Sequence, residues 1–270
     1  MKFKEIFYLL GFKPQTRTYG HDVRVHELPG DGTISFAHWQ HPRHTPKEFP
    51  PELIAAYRRY IRPGDMAIDI GAHTGDSTLP MALAAGPQGT VLALEPNPHV
   101  FPILTVNASL NAGKVHIVPL QFAASAEDEE IDFEYSDAGY CNGGQHEGVS
   151  RWRHAHAFKL RVQCRNLPKY IAAHHPEALV RTRFIKVDTE GHDHAVLQTL
   201  AGLIDQARPY IKAEVYRHLS LEARRAFLQF LREHHYRVHR TRDDAHLEGE
   251  LLTEENLLEH RHYDLFAVPQ

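Results

Sequence analysis

From about residue 51 onward, short apolar runs alternate with amphipathic stretches. The runs at 67–70, 91–94, 115–120, 184–187 and 210–215 are bounded by turn residues and read as strands buried on both faces. Helical patterns lie between them. One covers 78–85, and a second runs from Pro98 to about Ala112, with Asn97 as its cap and Pro98 at its first position. A third opens at Asn166-Leu167-Pro168. A fourth turns Val196, Leu197, Leu200 and Leu203 inward, and Ser220 caps a fifth that carries Phe227, Phe230 and Leu231. Two late strands, 236–239 and 263–268, have only the polar connection 240–262 between them. Alternating strands and helices predict an α/β fold with a doubly wound, mostly parallel, Rossmann-like sheet. The late pair predicts an antiparallel final strand.

Upstream, Pro51 starts a helix with Leu53, Tyr57, Tyr60 and Ile61 on its apolar face. Residues 1–50 read as an accessory layer, and 51–270 as the main domain. In that layer Phe3, Ile6, Phe7 and Leu10 share one helical face, suited to docking on the protein. Runs 23–28 and 33–39 flank the turn Pro29-Gly30-Asp31-Gly32 as a hairpin. Such a layer can cover a sheet edge, mediate dimerisation or roof a pocket.

The candidate chemistry gathers at the first two strand ends. The first strand carries Asp69 and runs into Gly71-Ala72-His73-Thr74-Gly75; the second ends on Glu95. A glycine turn opening a helix brings backbone close to a ligand, and an acidic residue about 20 positions on suits a ribose diol. Glu95 stands at a strand end, outside the expected core. A dinucleotide turn needs G-x-G-x-x-G, but here His73 stands at the central position. A bulky residue opposes pyrophosphate and is compatible with S-adenosyl-L-methionine, which has a ribose and no phosphate. Ala123, at the end of the third strand, is small enough to sit beside a flat ring.

The strings IDIGAHTGDSTLPMA, LALEPNPHVF followed by Asn107, and FIKVDTEGHDHAVL resemble the FkbM family of S-adenosylmethionine-dependent methyltransferases. Asp69-x-Gly71-x-x-x-Gly75 also resembles the first motif of class I methyltransferases, which usually have glycine where this chain has His73; FkbM proteins commonly have asparagine there. The resemblance spans roughly 57–213. It implies a class I methyltransferase fold, S-adenosyl-L-methionine as cofactor, and O-methylation of a small-molecule or saccharide acceptor. The cofactor-site candidates are Asp69, Gly71, His73, Gly75, Glu95, Asn97 and Ala123.

The fourth strand ends in Asp188-Thr189-Glu190-Gly191-His192. Ligands of open α/β sheets bind at carboxyl strand ends, so Asp188, Glu190 and His192 are the catalytic candidates. Asp188 or His192 could take the acceptor proton directly. Alternatively, Asp188, Glu190 and Glu214 could hold a divalent cation, or the carboxylates could simply cap a helix and pair with Lys186 or Lys212. An NAD-dependent oxidoreductase and a non-catalytic cofactor-binding protein are the rival functions. The glycine-rich stretch 136–149, with Tyr140, Asn142, His146 and Glu147, reads as a loop that closes over an acceptor.

Composition changes this picture little. The 270 residues are 42% hydrophobic and 24% charged, with a net charge of −4, enough for a full core and without a basic block for nucleic acid. Amino-methylating enzymes of nucleic acids often carry an acidic-or-amide residue followed by Pro-Pro-aromatic where this chain has Asp188-Thr189-Glu190-Gly191. Cys141 and Cys164 lack metal-ligand spacing, and the 22 histidines are scattered, as in a polar surface. No metal is expected from spacing. Residues 6–10 are too short for a signal core, and no run approaches a membrane span. The expected location is cytoplasmic, and a homo-oligomer is left open.

Overall fold

The computed structural model describes residues 17–135 and 158–270. The expected N-terminal helix and the glycine-rich stretch 136–149 lie outside them. The first elements are the antiparallel pair β1 (His21–Leu28) and β2 (Gly32–Trp39), then helix α1 (Pro51–Arg58). A seven-stranded sheet follows, built from β3 (Met66–Ile70), β4 (Thr90–Leu94), β5 (Ile117–Leu120), β9 (Thr182–Val187), β10 (Tyr210–Val215), β11 (Tyr236–Arg240) and β12 (Tyr263–Pro269). Its spatial order is β11-β12-β10-β9-β3-β4-β5. β3, β4, β5, β9 and β10 are parallel, and β12 runs antiparallel between β10 and β11. This is the class I methyltransferase arrangement, with the expected antiparallel finish.

Both faces of the sheet are buried, which is why its strands read as nearly continuous apolar runs. Ile68, Leu92, Ile185 and Ile211 face α4 (Leu167–His174), α6 (Asp193–Thr199), α7 (Ala201–Ala207) and α8 (Leu221–Glu233). Ala67, Val91, Phe184 and Phe266 face the other way, toward α1, α2 (Thr78–Ala85) and the N-terminal hairpin. The short α5 (Ala178–Arg181) leads into β9. The connection 240–262 contributes Leu247, Leu252 and Leu257 to the core. Arg224, 3% exposed, donates to the carbonyls of Leu257, His260 and Arg261 and holds that connection in place.

Two local expectations are corrected. The helix after β4, α3 (Phe101–Ser109), begins later than Pro98. Asn97 caps the turn before it instead, its Oδ1 accepting the His99 N–H at 2.9 Å. Ala123, expected at the end of the third strand, instead opens a separate sheet after β5, ordered β6 (Ala123–Ser125), β8 (Phe158–Asn166), β7 (Glu129–Tyr135). Here β6 is parallel to β8, while β7 is antiparallel to it.

The N-terminal hairpin is docked by two amide side chains. Asn107 Oδ1 accepts the Ala37 N–H at 2.6 Å, and its Nδ2 donates to the carbonyls of Ala37 and Thr74 at 3.0 and 2.8 Å. Asn111 repeats the pairing with Ser35, at 2.7 and 2.9 Å. Residues 35 and 37 face one way on a strand; Asn107 reaches them from α3, and Asn111 from the turn after it, where its backbone is left-handed at φ +60°. Ile34, Phe36 and Phe49 are buried in the same cluster as Ile54 and Tyr57. Asn107→Ala leaves three buried main-chain groups without this partner. It should lower unfolding free energy by about 3 kcal/mol in denaturant titration, and Asn107→Asp, which sets a carboxylate oxygen against the Ala37 and Thr74 carbonyls, should lose at least as much.

Candidate active site

A cavity of about 350 Å³ opens at the carboxyl ends of β3, β4 and β9, where parallel strands leave a crevice. Gly71, His73, Glu95, Asn97 and Ala123 line it, together with Asp188, Glu190 and His192. Asp69 and Gly75 do not; they lie behind the wall. The three-stranded sheet supplies an apolar side from Ile131, Phe133 and Cys164, beside Phe122. Sequence reading gives strands at 131–135 and 160–163, but apolar runs alone do not show that the two pair into a wall.

The glycine turn is shaped by close packing. Gly71 has φ +81°, and a Cβ there would lie 2.0 Å from the Asp188 carbonyl oxygen. Only glycine lets the first turn meet the end of β9 so closely. The Gly71 and Ala72 N–H groups donate to the Leu94 carbonyl at 3.0 and 2.8 Å, joining the turn to β4. His73 is also left-handed, at φ +50°, so it adopts the backbone conformation glycine would offer. Its ring packs against Trp39 and His44, at centroid distances of 5.6 and 5.9 Å. Burial pushes its pKa down to about 4, so the imidazole is neutral at pH 7. The side chain that argues against pyrophosphate is thus held by the N-terminal segment.

Glu95 is 6% exposed, so the expectation that it stands outside the core is corrected. Its Oε1 accepts the Asn97 N–H at 2.7 Å and its Oε2 the His73 N–H at 3.0 Å. Each oxygen keeps a further lone pair, which suits two neighbouring hydroxyls. Burial, against these two hydrogen bonds, raises its pKa to about 7. Beside it, Asn97 Nδ2 is buried without a protein partner on the cavity wall. A carboxylate with spare lone pairs, a spare amide donor and an apolar side match a ribose joined to an aromatic base. On these observations the residues present fit S-adenosyl-L-methionine.

Acidic groups accumulate in the turn after β9, which also lines the cavity. Glu190 sits at φ +55°, and burial followed by the Asp188 charge raises its pKa to about 7. Asp193, 1% exposed, accepts the Glu214 N–H at 3.1 Å through Oδ1. Its Oδ2 accepts the Thr189 hydroxyl at 3.0 Å and the Thr189 N–H at 3.3 Å. It therefore braces the turn that presents Glu190. Glu214 lies behind, 3.5 Å from His262, and burial with the Asp188 and Glu190 charges raises its pKa to about 9. Asp193 was not singled out by sequence; its spacing from Asp188 was the available signal. Among the described residues no three His, Cys, Asp or Glu side chains are arranged to hold a metal ion. Nor is any helix there long and apolar enough to cross a membrane.

The family model "Methyltransferase FkbM domain" matches residues 69–238. No curated protein matches the chain. Among solved structures, the chain is similar to an FkbM methyltransferase from Methylobacillus flagellatus KT, at 15% identity over 79% of this chain and 50% of that one, TM-score 0.46. It is similar to Aeropyrum pernix fibrillarin with bound S-adenosyl-L-methionine, at 11% identity over 94% and 99%, TM-score 0.46. A precorrin-6y C5,15-methyltransferase from Geobacter metallireducens GS-15 shares 14% identity over 82% and 90%, TM-score 0.40.

The raised pKa of Glu95 has a definite sign in stability. The unfolded chain releases this proton near 4.5 and the folded chain near 7, so between those values the folded state holds more protons. The Glu95 contribution is therefore lost as pH rises through that window. Relative to Glu95→Gln, wild-type stability should fall by about 3 kcal/mol across it, read by denaturant unfolding at stepped pH. Glu95→Ala, which strands two N–H groups, should also lower Tm.

Proposed function

We propose, from the premise that the chain belongs to the FkbM methyltransferase family, that it methylates a hydroxyl oxygen of a saccharide or secondary metabolite. Its fold and family make it an S-adenosylmethionine-dependent methyltransferase. When bound, the cofactor supplies an electrophilic methyl group on a sulfonium. Glu95 receives the ribose diol, the Gly71 turn meets the amino-acid end, and Ala123 with Phe122 and Ile131 flanks the base. One observation carries this reading: Glu95 and the Asp188–Glu190–His192 turn line a single cavity.

An alcohol must lose its proton near the transition state, and a positioned base contributes about 10²–10⁴-fold. Asp188 and His192 are the first candidates for that task. A second reading assigns it to Glu190, because Asp188 is 3.6 Å from the Lys186 ammonium, while the Glu190 carboxyl is held near neutrality, where proton transfer is best matched. The apolar wall excludes water from the base side, and Asp193 keeps the acidic turn in place. The protein acts on a small-molecule or saccharide acceptor and is cytoplasmic; a homo-oligomer is compatible with this reading. Residues 1–50 serve as an accessory layer to the domain 51–270.

Labelled methyl from S-adenosyl-L-methionine, offered against a panel of methyl glycosides and hydroxylated metabolites, tests the acceptor class by mass spectrometry. Methylation at nitrogen or carbon rejects the hydroxyl assignment. On the acceptor found, Asp188→Asn should cut turnover by about 10²-fold or more and leave cofactor affinity nearly intact. If Glu190 is the base, wild-type turnover falls as pH drops below about 7 and Glu190→Gln removes that limb. Activity that survives excess chelator excludes a required exchangeable metal.

A further inference from the structure

Lys186 is a buried cation with more than one task. Its side chain is 10% exposed, and its Nζ lies 3.2 Å from Asp69 Oδ1, 3.1 Å from the Gly71 carbonyl oxygen and 3.6 Å from Asp188 Oδ2. Burial alone would lower its pKa, but the charges of Asp69 and Asp188 raise it well above the ordinary value, so it is an ammonium. The three contacts belong to different parts of the site. Asp69 is 0% exposed at the end of β3, where its Oδ2 accepts the Ser77 and Thr78 hydroxyls at 2.8 and 2.6 Å. Gly71 is the cofactor-side turn. Asp188 begins the acidic turn, and its side chain is 47% exposed to the crevice.

We propose that Lys186 is a positioning residue whose ammonium ties the turn 71–75 to the turn 188–192, so that cofactor bound at the first orders the second for the acceptor. The proposal rests on the reading of the cavity given above. Sheet register places Lys186 beside Asp69, directly across from it on β3. The two turns already touch through main chain: the Asp188 N–H donates to the Ile70 carbonyl at 3.0 Å, and its carbonyl oxygen packs on Gly71. These contacts fix the backbone of Asp188 and leave its carboxylate free to rotate. The ammonium supplies the missing restraint: it donates to the Gly71 carbonyl and holds both carboxylates as ion pairs. Its charge also lets two carboxylates stand near each other without repulsion. Without it, Asp69 would be a buried, uncompensated charge.

Hydrogen exchange with S-adenosylhomocysteine as the probe tests this without an acceptor. In wild type, saturating probe should slow exchange by about tenfold in both turns. Lys186→Met alone strands buried Asp69, so the informative variant is Lys186→Met with Asp69→Asn, which removes both charges of the buried pair. Asp188→Ala is a second variant; it cuts only the exposed end of the network and does not threaten folding. At saturating probe both variants should keep protection at 71–75 and lose most of it at 189–192. Undiminished protection of 189–192 in Asp188→Ala, or in the charge-deleted variant, overturns the proposal. Failure of wild type to bind the probe, read by calorimetry, overturns the cofactor reading itself and the proposal with it.

Discussion

The Lys186 ammonium lies within 3.6 Å of two carboxylates and one main-chain carbonyl, inside a sheet that is apolar on both faces. In such a place a charge persists only when paired and hydrogen-bonded, and breaking the pair by removing one member costs about 3–5 kcal/mol. The pair sits where the first crossover leaves the sheet. Asp69 at that point also collects two hydroxyls from the start of α2. Helix α2, the glycine turn and the end of β9 thus share a single polar knot. A second buried lysine, Lys212, stands opposite Lys186 in register on β10 and pairs with Asp244 and Asp264 at 2.6 and 3.0 Å. Asp69, Lys186 and Lys212 thus form one row of charge across β3, β9 and β10.

The second constraint is the space around the glycine turn. His73 fits there because Trp39 and His44 come from the N-terminal segment to receive its ring. That segment reaches the turn because Asn107 and Asn111 hold the edge of β2 and because Phe36 and Phe49 are buried with α1. Asn107 reaches further, donating to the Thr74 carbonyl inside the turn. A residue that looks like a helix-surface amide in sequence therefore connects the hairpin, the helix and the cofactor-side loop. The structure gives the family resemblance at this position a physical content: the amide replaces a missing strand partner.

The acidic end of the cavity is built differently. Main-chain donors on Thr189 and Glu214 converge on Asp193, while Glu190 adopts a left-handed conformation beside them. Burial first, and then the charges of neighbouring carboxylates, push these groups toward the neutral form, so Glu190, Asp193 and Glu214 all carry raised pKa values. Lys186 offsets this repulsion on the Asp188 side alone. The result is a single cavity lined by two carboxyls held near neutrality, Glu190 and the buried Glu95.

Much of this was legible in sequence. The parallel strands, the Gly71 turn, Glu95 and the 188–192 turn follow from local apolar runs and turn chemistry, which depend on residues within a few positions of one another. The Ser220 and Asn166 caps were equally local, and both form, accepting the N–H groups of Ala223 and Lys169. The later start of α3 was a local competition as well: the Asn97 side chain satisfied the nearer His99 N–H. Other features needed the chain to cross itself. The burial of Glu95, the apolar wall of the three-stranded sheet, the docking of Ser35 and Ala37 on Asn111 and Asn107, and the placing of Lys186 against Asp69 join segments that are distant in sequence. Periodicity shows that a residue points inward, but not which residue it meets. That was decided by strand register and by the crossing of the hairpin over α3, because a buried charge or amide takes its role from the partner that packing places within hydrogen-bond reach.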